Sequence, residues 1–207
     1  MAKRVLLALA VSVFAVTGAF AQSIGFGYIF NTGFIGYYET DNYNFTQNQN
    51  MHIKGSGGFA FLDFGALEMS VGLTGGSWKQ ELNRVEAYNG SLTTLDLGLL
   101  GKLPAHSPLF LLLGIGYNAI LGAKDADGND PFENMPDVNA SDFSTFRFLF
   151  GLGLDIGFSN STFFRVESMG RYALAPKYFK DIANNVGSGT AHGDIGFMLK
   201  LALGFRL

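Results

Sequence analysis

The chain contains no cysteine among its 207 residues and only five prolines. The first absence removes any disulfide framework and any thiolate metal site. Charge is also scarce: Asp, Glu, Lys and Arg make up 15% of the chain, against the ~25% of an ordinary soluble domain. Beyond the N-terminal segment no apolar stretch reaches 18 residues, so no membrane-spanning helix is on offer. What is abundant is hydrophobic surface (48%), glycine (28 residues) and phenylalanine (21 residues). Strands carrying that much apolar surface into lipid must still satisfy every backbone N–H and C=O, and only a closed barrel does so.

The N-terminus reads as a leader. Lys3 and Arg4 precede a nearly unbroken apolar run, Val5 to Val16, and Ala19-Phe20-Ala21 is a small-x-small cleavage pattern. The run is too short for the ~20 residues of a transmembrane helix. The expected organisation is a signal peptide over 1–21 and one β-barrel domain over 22–207. No cysteine follows the cleavage pattern, which excludes a lipoprotein anchor. Without Lys3 and Arg4, twelve basic side chains face seventeen acidic ones, a net charge of −5 that argues against a nucleic-acid partner.

Period-2 alternation marks about eight strands. In the last, Phe197, Leu199, Leu201, Leu203, Phe205 and Leu207 alternate with Gly196, Met198, Lys200, Ala202, Gly204 and Arg206. In the sixth, Phe146, Phe148, Phe150 and Leu152 oppose Arg147, Leu149, Gly151 and Gly153. The third (Leu67 to Thr74), fourth (Thr94 to Lys102), fifth (Leu109 to Leu121) and seventh (Thr162 to Ala175) follow the same rule. In the first two strands the faces are open to a switch near Asn31-Thr32-Gly33 and at Gly57-Gly58, where glycine marks a bulge. Long polar connections are expected over 38–52, 79–90, 122–142 and 176–190. Short ones are expected near Gly65, at 104–108 and at 159–161. That long-short alternation, with an even strand number and both termini on one side, is what a transmembrane barrel requires. Tyr37, Tyr38, Trp78, Tyr117 and Tyr172 at one end, and Phe64, Phe158 and Phe205 at the other, read as interface belts.

These features, with Phe163-Phe164-Arg165-Val166-Glu167 followed by Arg171-Tyr172, resemble the small outer-membrane barrels of the OmpA, OmpX and OmpW type. The resemblance covers the whole chain after the leader. It implies a cell outer-membrane location, outer-membrane lipid as surroundings, and the assembly machinery as a partner through the C-terminal strand. In that family the last residue is usually aromatic; here it is Leu207, with Phe205 two positions earlier.

Turning each polar face inward puts ten charges in the lumen: Glu68, Asp96, Asp155, Glu167 and Asp194 with Lys102, Arg147, Arg165, Arg171 and Lys200. An eight-stranded barrel is just wide enough to be filled by side chains, and isolated charges there are costly. The expectation is a salt-bridged plug, with a narrow ion path lined by the same groups as the alternative. No catalytic constellation emerges. His52, His106 and His192 have no Ser or carboxylate at a telling spacing, so an enzyme acting on lipid A is the weaker alternative and no cofactor is expected. Asp125, Asp127 and Asn129 begin like a calcium loop, but Asp130 and Pro136 stand where glycine and glutamate are needed. A rim cation site there is secondary to a flexible acidic loop. The functional expectation is a non-enzymatic envelope barrel whose long loops contact host or surface ligands. The alternative is a narrow pore or a carrier of small or hydrophobic solutes, the latter implied by the OmpW resemblance.

Overall fold

The computed structural model describes residues 21–42, 45–82, 85–106, 108–131, 139–178, 180–181 and 189–207. The expected leader lies outside them apart from Ala21. The strands are β1 (Ser23–Asn42), β2 (Phe45–Asp63), β3 (Leu67–Leu82), β4 (Val85–His106), β5 (Leu109–Asp125), β6 (Thr145–Gly157), β7 (Thr162–Ala173), β8 (Gly189–His192) and β9 (Asp194–Arg206), with a 3-10 turn at Ala140–Phe143. Among the described residues no helix is long and apolar enough to cross a membrane.

Each strand pairs antiparallel with its neighbour, and the ring closes where β1 pairs with β2 on one side and β9 on the other. β8 continues the β9 edge along the upper part of β1, from Tyr37↔His192 to Thr40↔Gly189. The nine strands therefore make eight staves, the last interrupted at Gly193. A Cβ there would stand 1.9 Å from the Ala173 carbonyl oxygen, an approach only glycine permits. Closure brings the ends together: Ser23 pairs with Arg206, and the Leu207 N–H donates to the Gln22 carbonyl at 2.9 Å.

The register also fixes the tilt. Paired residues lead from Leu113 on β5 through Phe150, Gly170, Phe197 and Thr32. They continue through Lys54, Ser77 and Ser91 to Lys124, again on β5. That is eleven residues further up, one of them the bulged Leu121. Eight strands staggered this far lean about 40° from the barrel axis.

The molecule is inside-out relative to a soluble domain. Phe26, Phe30, Leu111, Leu113, Ile115, Phe146, Phe148, Phe150 and Ile195 are exposed, while Glu68, Asp96, Arg147, Arg165, Glu167 and Lys200 are buried. At ~3.3 Å per residue and this tilt, the apolar band from Ile24, Leu109 and Ile156 up to Phe146, Tyr172 and Ile195 is about 25 Å tall, the height such barrels present to lipid.

Several expectations need correction. Two of the four long connections are strand: β1–β2 stays paired to Asn42↔Phe45 and β3–β4 to Leu82↔Val85. The polar runs over 38–52 and 79–90 resemble loops because they lack an apolar face, but outside the bilayer a hydrogen-bonded ladder needs none. The β1–β2 and β2–β3 ladders run unshifted through Gly57-Gly58, so the faces do not switch there. In β1 the alternation holds through Asn31, and the irregularity falls between Phe34 and Gly36. β4 runs on to His106, absorbing Pro104 at a bulge, where a residue without an N–H is tolerated.

Trp78 is not part of an outer belt. It is 4% exposed and turns inward, its indole N–H donating to the Lys124 carbonyl at 3.1 Å across the space left by Gly90. Tyr172 and Phe158 do lie on the outer surface, and the Tyr117 ring meets Phe146 in a tilted contact, centroids 4.8 Å apart. The side chains of Tyr37 and Tyr38 lie outside the described residues.

Candidate functional site in the barrel lumen

Because alternate residues point inward, each stave delivers one lumen side chain every second position. Near the end where Ser23 pairs with Arg206, Arg165 of β7 is 1% exposed and all three nitrogens of its guanidinium are engaged. Nη1 donates to Glu68 Oε2 at 2.6 Å, and Nη2 to Asp63 Oδ2 at 2.6 Å. Nε and Nη2 grip both oxygens of Asp155 at 2.7 Å each. Lys102 binds the same oxygen of Asp63. Three phenyl rings enclose the guanidinium, with centroids 4.5 Å (Phe61), 5.1 Å (Phe163) and 5.2 Å (Phe110) away.

That cage depends on glycine. A Cβ at Gly25 would stand 2.2 Å from the Phe61 ring, at Gly153 2.0 Å from Phe110, and at Gly204 2.2 Å from Phe163. Each ring lies flat across a residue with no side chain, which lets three aromatics and an arginine share so narrow a lumen. The same contact recurs on the outer wall, where the Phe150 ring covers Gly170.

Towards the middle, Lys200 of β9 donates to Ser70 Oγ at 3.0 Å, lies 3.3 Å from Glu167 and 3.7 Å from Glu68, and faces the Phe59 ring. Glu68 and Glu167 are both completely buried. An apolar layer follows, including Ile29, Phe59, Leu149, Met169 and Met198.

Above it lies a second polar layer. Asp96 Oδ1 accepts from Arg147 Nη2 and from Asn118 Nδ2 at 3.1 Å. Asp96 Oδ2 lies 3.3 Å from the Thr94 hydroxyl and 3.5 Å from that of Thr74; the two hydroxyls are 2.6 Å apart, so one donates to the other and the other to the carboxylate. Buried Ile53, Trp78, Leu92 and Ile120 then cover the outer end.

The structure thus gathers Glu68, Lys102, Asp155, Arg165, Glu167 and Lys200 into one network and pairs Asp96 with Arg147 in another, beside a cavity that Arg171 also lines. Asp194 pairs through its backbone with Ala173, and its side chain lies outside the described residues. Asp63 is the lumen acid that the sequence reading lacks. It is the last residue of β2, in a Phe-Leu-Asp-Phe-Gly run that reads as a turn, and its other oxygen does cap Gly65 N at 2.8 Å. The signal was its parity: Asp63 continues the inward series Phe59, Phe61.

At the rim, Asp125 Oδ1 accepts the backbone N–H groups of Asp127 (3.0 Å) and Asn129 (2.8 Å), closing a turn with Gly128 at φ 87°. The carboxylate proposed for a cation thus serves the loop backbone. Among the described residues no three His, Asp or Glu side chains cluster as a metal site. His52 lies 3.6 Å from Glu81, and the side chains of His106 and His192 lie outside the described residues. Lys177 bridges Asp181 at 2.6 Å and Asp142 at 3.7 Å, and the Tyr178 ring meets Phe143 in a tilted contact, centroids 4.5 Å apart. The hydrogen bond to Asp181 raises Lys177 above the ordinary lysine range, so it stays cationic.

A closed antiparallel sheet, apolar towards its surroundings and ionic towards its axis, with a lipid-height band and its first strand paired to its last, defines the class. The chain is a transmembrane β-barrel protein of the outer-membrane kind. No family model and no curated protein matches it. Among solved structures it is similar to the outer membrane protein OprG from Pseudomonas aeruginosa, at 9% identity over 90% of this chain and 96% of that one, with a TM-score of 0.48. It is also similar to outer membrane protein AlkL, at 12% identity over 90% and 92% of the two chains, with a TM-score of 0.44. The class assignment rests on the barrel's own geometry.

Proposed function

We propose that this is a non-enzymatic outer-membrane barrel whose lumen is closed to steady ion flow and whose work is done at its outward-projecting end. The observation that carries the reading is Arg165. It is held by three carboxylates and ringed by three phenylalanines, on a level where Lys102 and Asp63 fill the remaining space. Two apolar layers, one at mid-lumen and one under the outer end, add further barriers to a hydrated ion. The paired polar extensions of β1–β2 and β3–β4 and the acidic segment after β5 are then the surfaces offered to a host or surface ligand. The barrel's outer wall meets membrane lipid, and β9, the strand that closes the ring on β1, is the segment presented to the assembly machinery.

Planar-bilayer recording of the purified barrel tests this. The expected trace shows no steady open level, only rare brief events. A large, sustained single-channel current would refute the plug and favour a narrow pore.

A further inference from the structure

Arg147 is 2% exposed, and Asp96 engages only one of its three nitrogens. Nε and Nη1 have no hydrogen-bond partner within the protein. Asp96 already accepts from Arg147 Nη2, Asn118 and one of the two threonines, and neither of its oxygens is a partner of Nε or Nη1. Two small cavities, each of about 10 Å³, flank the Arg147 side chain. Arg171 and the amide of Asn31 line the outer of them.

Buried N–H groups without acceptors cost about 1–3 kcal/mol each, and more when charged. The site therefore calls for an acceptor. Its walls supply the open Arg147 nitrogens, the charge of Arg171, and the Asn31 amide, whose NH2 end turns to the cavity on a half-rotation. Its size excludes bulky occupants, since about 10–15 Å³ holds one water-sized particle. Phosphate, sulfate and carboxylates are too large.

We propose that the outer of these cavities, between the Met169–Met198 layer and the Trp78 layer, is a binding site for a single monatomic anion of the chloride class. The anion accepts from whichever open nitrogen of Arg147, Nε or Nη1, faces that cavity, since the two point apart in the guanidinium plane. The inference is independent of whether the barrel conducts.

The test has two arms. The barrel is crystallised with sodium bromide, and anomalous difference density is calculated at the bromine edge. A peak within hydrogen-bonding distance of Arg147 Nε or Nη1 is expected. Featureless anomalous density there, with an ordinary water in the cavity, overturns the proposal. In the second arm the protein is refolded and heated in sodium chloride or in sodium gluconate of equal ionic strength, gluconate being too large to enter. At a chloride concentration ten times the dissociation constant, the unfolded fraction at a fixed temperature should fall about tenfold. Arg147→Lys keeps the charge facing Asp96 but removes the fork, and should abolish that difference. Equal melting of the unaltered protein in the two salts counts against the site. If the variant does not fold, the bromide map decides alone.

Discussion

Replacing Arg165 with methionine is expected to destabilise the folded barrel by about 3–5 kcal/mol, the cost of stranding buried charges by removing one partner. The figure follows from what is left behind. Glu68 is fully buried and loses its Arg165 hydrogen bond, Asp155 loses both of its hydrogen bonds to the guanidinium, and Asp63 keeps only Lys102 and the Gly65 N–H. Lys102 and Lys200 remain, against four carboxylates. The pairs themselves add little net stability, because desolvation offsets much of their attraction; the asymmetry appears only when one member is removed. Urea titration of refolding into lipid vesicles reads the loss. Arg165→Lys should recover only part of it, since a point charge cannot hold Asp155 through both oxygens while reaching Glu68 and Asp63. A variant as stable as the parent would mean that the lumen is wet enough to solvate these acids.

The second large effect lies on the opposite face. Leu113 is 64% exposed and sits near mid-height of the apolar band, beside Phe150 on β6. Leu113→Arg should cost about 2–4 kcal/mol in a bilayer, the penalty for a cation at the midplane of a barrel wall. Were this surface in water, the same change would be near neutral and would improve solubility. Comparing Leu113→Arg with Leu113→Phe by folding yield in vesicles separates the two, since phenylalanine suits lipid and keeps the apolar contact.

How much of this was legible depended on where the alternation was clean. In β6, β7 and β9 one face is mostly glycine, small or charged, with Leu149, Phe163, Met169 and Met198 the exceptions, so parity alone assigned Arg147, Arg165, Glu167 and Lys200 to the interior. β5 is largely apolar on both faces, and there parity says little: Leu112 fills the lumen while Leu111 faces outward, as Leu100 and Leu99 do at one step of β4. The Arg165 cage was out of reach for another reason. Phe61, Phe110 and Phe163 meet from three strands distant in sequence, and the Gly25, Gly153 and Gly204 that make room for them are scattered singly. Trp78 was misread because a tryptophan near a strand end suits an interface belt as well as a lumen cover. Only its neighbour Gly90 and the Lys124 carbonyl decide between them.

The most direct examination of the inverted wall is a nitroxide scan along β5, one label at a time over residues 109–117, in lipid vesicles. Collision with dissolved oxygen, which concentrates in the hydrocarbon, should rise at Leu111, Leu113 and Ile115 and fall at Phe110, Leu112 and Gly114. A flat profile, or maxima at the even positions, would contradict the orientation from which the lumen, its ion pairs and the proposed anion chamber all follow.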